Sequence, residues 1–403
     1  MAETKEYKTY KIGELGKVVT GRTPPSSKPE CFGSNFPFIT PSDMKEERTV
    51  KTERFLSEEG ALLLKNNMVP SGSVAVSCIG SQMGKSVLVK TTSFTNQQLN
   101  TVIPNENVNS DYLYYLMLTK RELLFSLGSA SGVATPILNK GAFSEIEVAL
   151  PSTEIQENIA SILRSYDDLI ENNNRRIQIL ETIAQKLYQE WFIHYRFPGH
   201  QQTQWQETDQ GKIPVGWEIK KIEDCYQTSS GGTPSRKKPE YYGEDHNWIK
   251  TKELRDSFVL DTEEKISDLG LAKSSAKLFP KHTTIIAMYG ATIGRLGITT
   301  TETATNQACC AFLPLNEAYS PWFIYLSLKE KKLELLALGQ GAAQQNISQQ
   351  VIKGFELLVP ETILLTEFNK IVEPLFLQME NLVKKNKNLK KQRGLLLSKL
   401  ITG

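Results

Sequence analysis

Between Pro151 and Gly199 apolar residues recur in alternating steps of four and three, at Ile155, Ile159, Ile162, Tyr166, Leu169, Leu180, Ile183 and Leu187. That spacing lays one stripe along a helix that packs lengthwise on a partner. Asn173 and Arg176 interrupt the stripe, Pro151 precedes its start and Pro198-Gly199 closes it, as helix ends favour. About 40 helical residues extend about 60 Å at 1.5 Å each, so something must pack along them. A second run, 360–403, qualifies: Phe368, Ile371, Leu375, Met379, Leu382, Leu389, Leu396 and Leu400 form its stripe, and Lys384 to Arg393 its Lys-rich polar face. Together they predict an intramolecular coiled coil; the alternative is a core helix in one large domain.

Outside the long helices the pattern changes. VAVSCIG (74–80) and TIIAMYG (284–290) read as buried strands, DYLYYLML (111–118) and PWFIYLSL (321–328) as short buried helices. These segments come in pairs because the chain is written twice. GRTPPSSKPECFG (21–33) returns as GGTPSRKKPEYYG (231–243), and Gly80, Gly84 and Thr95-Asn96-Gln97 return as Gly290, Gly294 and Thr305-Asn306-Gln307, all at a spacing of 210. After one deletion the spacing is 209, so Gly132 meets Gly341 and Pro151 meets Pro360. Such a period is too long for a solenoid and marks duplication of a whole module. The predicted order is a mixed α/β domain at 1–150, a helix at 151–199, a polar Gln-rich linker at 200–216, a second domain at 217–359 and a second helix at 360–403.

Composition excludes more than it selects. With 39% hydrophobic and 23% charged residues the chain is ordinary for a globular protein. It has no apolar run near the ~20 residues of a membrane span, and its polar start, MAETKEYKTYK, does not resemble a signal peptide, so a cytoplasmic protein without membrane contact is expected. Five cysteines form no CxxC pair and four histidines are scattered, so no metal site is expected. A net charge of +2 does not announce nucleic acid, and any such reading must come from local features.

The local features lie where the copies differ. Ser81-Gln82-Met83 stands against Ala291-Thr292-Ile293, Ser26-Ser27 against Arg236-Lys237, and Thr40-Pro41-Ser42 against Lys250-Thr251-Lys252. Two similar domains with different polar loops suit two different short targets, as in a DNA duplex. There Asn, Gln, Arg, Lys, Ser and Thr distinguish base edges in the grooves, while Lys, Arg and backbone N–H groups hold phosphates. Asn96-Gln97, Asn306-Gln307 and Gln344-Gln345-Asn346 supply amides; Lys28, Lys85, Arg236, Lys237, Lys238, Lys250, Lys252 and Arg295 supply cations. GSQMGKS (80–86) approaches a phosphate-binding loop, but only three residues separate its glycines, and its repeat GATIGRL lacks both the lysine and the hydroxyl. No Asn-Pro-Pro-aromatic string occurs either, so no catalysis by the isolated chain is expected.

Over essentially its whole length, through GRTPPSSKPECFG, the Gly80-to-Gly84 and Thr95-Asn96-Gln97 motifs, KLYQEWFIHYRFPG and KIPVGWEIKKI, the chain resembles the specificity subunits of type I restriction-modification systems. The resemblance implies two target-recognition domains reading a split, asymmetric site in double-stranded DNA. It also implies two long helices lying antiparallel as a spacer and docking two methyltransferase subunits, with restriction subunits joining through that core. The partners would use S-adenosylmethionine, ATP and Mg2+ to methylate adenine and cleave DNA; this chain would bind no cofactor. Carried onto this sequence, the DNA-facing positions in the first copy are Thr23, Lys28, Thr40, Ser42, Asp43, Ser81, Gln82, Lys85, Asn96, Gln97, Ser131, Thr135 and Asn139. In the second copy they are Thr233, Arg236, Lys237, Lys250, Lys252, Glu253, Tyr289, Thr292, Arg295, Asn306, Gln307, Gln340, Gln344, Gln345 and Asn346. Thr135-Pro136-Ile137 departs from the more family-like Gln344-Gln345-Asn346. Two other readings are a part of a self-contained DNA methyltransferase, which would transfer methyl groups unaided, and a coiled-coil scaffold without a DNA role, which would show no sequence preference.

Overall fold

This computed structural model describes residues 7–45, 47–130, 135–209, 211–339 and 346–401. The chain divides into two units, Met1–Asn172 with Asn386–Gly403, and Asn173–Lys385.

In the first unit, strands Gly16–Thr20, Leu99–Pro104, Val74–Ser77 and Ser86–Leu88 form an antiparallel sheet in that order. Val74–Ser77 is its central strand and is buried throughout, which is why its sequence does not alternate. A second sheet places Phe32–Ile39 between Phe55–Leu56 and Phe94–Thr95, with Phe38 opposite Phe94 in parallel register. Helix Ser110–Thr119 is capped by Asn109, whose side chain accepts the Tyr112 N–H. It buries Tyr112 to Met117 against Ile159 and Leu163 of the first long helix and Leu396, Leu397, Leu400 and Ile401 of the second.

The second unit repeats this plan. Strands Tyr226–Ser230, Cys309–Pro314, Thr284–Ala287 and Leu296–Thr299 match the first sheet, and Ser257–Val259 extends it in parallel. Tyr242–Ile249 pairs in parallel with Thr303–Thr305, and it carries its register shift between Tyr242 and His246 where the first copy has one between Phe32 and Phe36. The core gathers Tyr188, Trp191 and Phe192 from the end of the first long helix and Phe368, Val372 and Phe376 from the second. Within each unit the early part of one helix meets the late part of the other, so they run antiparallel there.

The long helices span Thr153–Tyr188, followed by a π turn at Gln189–Ile193, and Thr362–Ile401. Three expectations change. The first helix ends well before Pro198-Gly199, with Tyr195 in a left-handed conformation (φ 57°). Residues read as a linker instead fold into a hairpin, Trp205–Thr208 against Gly211–Pro214. Finally, the buried stripe departs in part from the predicted one: Ile159, Phe368, Met379 and Leu382 are buried as expected, but Ile162, Leu169, Ile183 and Ile371 are about half exposed and the next residues, Leu163, Ile170, Ala184 and Val372, are buried instead. The buried seam looked polar because it includes Gln156 and Asp167. Their partners are distant in sequence: Gln156 accepts the Asn109 N–H, and Asp167 binds Tyr115 and Arg393.

Candidate nucleic-acid interface

A parallel strand pair releases the chain twice at the same edge, and this gathers the loops of each module. In the first, Phe32–Ile39 leads into Thr40–Met44 and Phe94–Thr95 into Asn96–Gln98, and the Asn96 N–H donates to the Ile39 carbonyl at 3.0 Å. The Arg22 N–H donates to the Thr95 carbonyl at 2.8 Å, bringing the 21–28 loop alongside. There the exposed Thr23 hydroxyl donates to Gln97 Oε1 at 2.6 Å. Lys85 Nζ reaches the Met44 carbonyl at 2.9 Å, and the Gly80 N–H reaches the Pro136 carbonyl at 2.9 Å. The five stretches singled out in the sequence therefore meet at one end of the module.

The second module assembles in the same way. The Gly232 N–H donates to the Thr305 carbonyl at 2.9 Å, the Asn306 N–H to the Ile249 carbonyl at 2.9 Å, and the Thr233 hydroxyl to Gln307 Oε1. Tyr289, about 40% exposed, bridges to Asn346.

Several candidates have local structural work. Asp43 accepts from the Thr40 N–H and hydroxyl, both at 2.8 Å, and Ser42 joins through a 2.7 Å contact with that hydroxyl. Glu253 accepts the Lys250 N–H at 2.8 Å in the matching turn. Asn96 and Asn306 close turns onto the N–H groups of Gln98 and Ala308, and Asn139 caps the helix Lys140–Ser144. The Thr292 carbonyl receives the Arg295 N–H at 2.9 Å. Ser81 and Gln82 form a short turn beside Gly80. Facing outward are Lys28, Ser81, Gln97 and Thr135 in one copy and Lys237, Gln307 and Asn346 in the other. Ser131, Gln340, Gln344 and Gln345 lie outside the described residues.

Charge is where the structure departs furthest from the sequence reading. Glu264 pairs with both Arg236 (2.5 Å) and Lys250, Glu263 with Lys252, and Asp256 with Arg295 (2.6 Å). Hydrogen bonds from Arg236 and then Lys250 hold the Glu264 carboxyl below the usual carboxylate range. Four cations read as phosphate holders are thus already engaged within the module, by three carboxylates, since Arg236 and Lys250 share Glu264. Sequence reasoning missed Glu264 and Asp256, as well as the aromatic pair Tyr242 and Trp248 beneath Arg236. One signal was available, because Glu264 stands where the first copy has Arg54.

The site offers hydrogen bonds rather than a reaction centre. Cys78, whose N–H joins the loop cluster through the Gln98 carbonyl, is a thiol pushed up to about 11 by burial, too weakly acidic to act as a nucleophile. Among the described residues no group of His, Cys, Asp or Glu could hold a metal ion, and no helix is long and apolar enough to cross a membrane.

Comparison with known proteins agrees with this architecture. A family model described as the type I restriction modification DNA specificity domain matches twice, over residues 4–182 and 214–391. The specificity subunit of the type I restriction enzyme MjaIX of Methanocaldococcus jannaschii is 28% identical over 406 residues, spanning 99% of this chain and 93% of that protein. The HindI specificity subunit of Haemophilus influenzae is 25% identical and spans 99% of each. The crystal structure of the S subunit of a type-I restriction-modification system from M. genitalium aligns over 100% of this chain and 97% of the other, with a TM-score of 0.62 at 15% identity, which is a likeness of fold.

Proposed function

The chain belongs to the type I restriction modification DNA specificity family and carries its domain twice, and from this premise we propose that it is a subunit that reads an asymmetric DNA site in two parts. Each module recognises one half of the site. The chain performs no chemistry of its own. Two methyltransferase subunits associate with it, restriction subunits join through that core, and S-adenosylmethionine, ATP and Mg2+ are used by those partners. Such a complex works in the cytoplasm.

The observation that supports this reading best is the loop cluster built twice on one hydrogen-bonded skeleton but with different outer side chains. The paired Thr23–Gln97 and Thr233–Gln307 contacts recur in register, while Ser26 and Thr40 are replaced by Arg236 and Lys250. A repeated frame with unlike polar edges is what two unlike base sequences require. Support for partner docking comes from exposed apolar residues on the first long helix, Ile162 and Leu169 in the first unit and Ile179 and Ile183 in the second.

The test is methylation-site mapping with the full chain and its methyltransferase partners. Two short specified tracts separated by unspecified bases are expected. Gln97→Ala should weaken discrimination in one tract and Gln307→Ala in the other, each by about 5- to 100-fold. A single contiguous tract, or both substitutions acting on the same tract, would overturn the reading.

A further inference from the structure

The second module carries an arrangement that its twin lacks. The Arg236 guanidinium lies 4.5 Å from the centre of the Tyr242 ring and 5.4 Å from that of Trp248. Both rings are fastened in turn, since the Tyr242 hydroxyl donates to the Pro234 carbonyl at 2.7 Å and Trp248 Nε1 to the Gly232 carbonyl at 3.0 Å. Glu264 binds Arg236 from one side and Lys250 from the other. The side chain is nonetheless more than half exposed. At the matching positions the first module has Ser26, Phe32, Phe38, Thr40 and Arg54, where no such cluster can form.

We propose that Arg236 reads a guanine in the second half-site, with Glu264 as the positioning residue that aims it. The inference rests on the DNA-reading function above. Its argument is one of charge and geometry. The carboxylate that Arg236 shares with Lys250 weakens, without cancelling, the charge that makes phosphate binding favourable. The guanidinium keeps its planar fork of N–H donors, and its place over the Tyr242 ring with an ion pair to Glu264 restricts the side chain before DNA arrives, so less ordering entropy is lost on contact. A fork held in this way suits the paired O6 and N7 acceptors of guanine, the commonest specific arginine contact in the major groove. Lys237, the next residue, is the contrast: it is exposed, and among the described residues it has no ion pair. It serves as the phosphate contact of this loop.

The two roles predict different signatures in the full complex with its methyltransferase partners, measured on a library of second-half-site variants at several salt concentrations. Arg236→Ala and Arg236→Lys should both lose about 5- to 100-fold in preference for one G·C pair, and Arg236→Lys, which keeps the charge, should leave the salt dependence nearly unchanged. Glu264→Gln should relax the same base pair. Lys237→Ala should instead weaken all sequences alike and lower the salt slope by about 1. Arg236→Lys keeps the charge and the stem over the rings, so a general folding defect is separated from lost reading, and an unchanged first half-site shows that the complex has assembled. Wild-type behaviour of Arg236→Lys, or uniform weakening with a shallower salt slope in Arg236→Ala, would overturn the proposal. If wild-type complex specified only one contiguous tract, the two-part reading would fail instead.

Discussion

Gly84 and Gly290 occupy related turns yet are glycine for different reasons. Gly84 has φ 79°, and a Cβ there would stand 2.6–2.9 Å from Arg121, including its backbone; Gly290 has φ 84° with nothing within 4 Å. Gly290→Ala should therefore cost about 1 kcal/mol, the backbone term alone. Gly84→Ala should cost about 2 kcal/mol or more, because the start of helix Arg121–Ser129 must also shift. Thermal unfolding of the two variants measures the difference, and equal losses would show that the Arg121 contact is not limiting. The glycines were legible in the sequence as a repeated spacing. The reason for each was not, since a left-handed turn and a crowded one look identical in letters. The same holds for His282, which takes φ 62° where the first copy has Gly72 at 84°. It does so to bring its ring to Glu380, 2.8 Å away.

Among the elements, that contact makes the second long helix sensitive to acid. Glu380 is almost fully buried and faces His282, Lys384 at 2.6 Å and Lys281 at 3.7 Å. Burial alone would raise its carboxyl, but hydrogen bonds from Lys384 and His282 outweigh that and hold it below the usual carboxylate range. A depressed folded-state value means that the contribution is present above the unfolded carboxylate value of about 4.3 and is lost as pH falls through the folded value. Glu380→Gln should thus destabilise by about 1–3 kcal/mol near neutrality. The difference from wild type should shrink as pH falls below about 5 and through the folded value. Trp322 lies 5.1 Å from the His282 ring, so denaturation followed by tryptophan fluorescence reports on the site. A difference that stayed constant over that range would show that Glu380 does not stabilise as a carboxylate. Here the sequence identified both long helices, the buried strands Val74–Ser77 and Thr284–Ala287 and the short helices Ser110–Thr119 and Pro321–Glu330, because periodicity is a local property. It misjudged part of the buried face of the first long helix because Asp167 and Glu181 sit on it, and their partners Arg393 and Lys329 come from elsewhere in the chain. It also missed the hairpin at 205–214, whose polar composition hides Trp205 against Tyr195.

For the whole molecule, duplication allows the modules to diverge separately. Each has its own core, with Phe38, Leu56 and Phe94 under one loop cluster and Trp248, Ile266 and Ala304 under the other. Replacing the second module with that of a related specificity subunit should therefore change one half-site and leave the other as it was. Methylation-site mapping of the hybrid complex checks this, and a change in both halves would show that the modules do not read independently.

The amino-acid order by itself determined the doubling, the two long helices, the most apolar strands and short helices, and the stretches that form the candidate interface, because spacing, apolar runs and turn residues act over a few positions. Only the tertiary structure decided which side of each long helix is buried and which cations remain unpaired. Gln156, Asp167 and Glu380 are tolerable inside, and Arg236 and Lys250 share Glu264 outside, through partners brought close by folding. Electrostatic energy depends on that distance through space, which separation along the chain does not reveal.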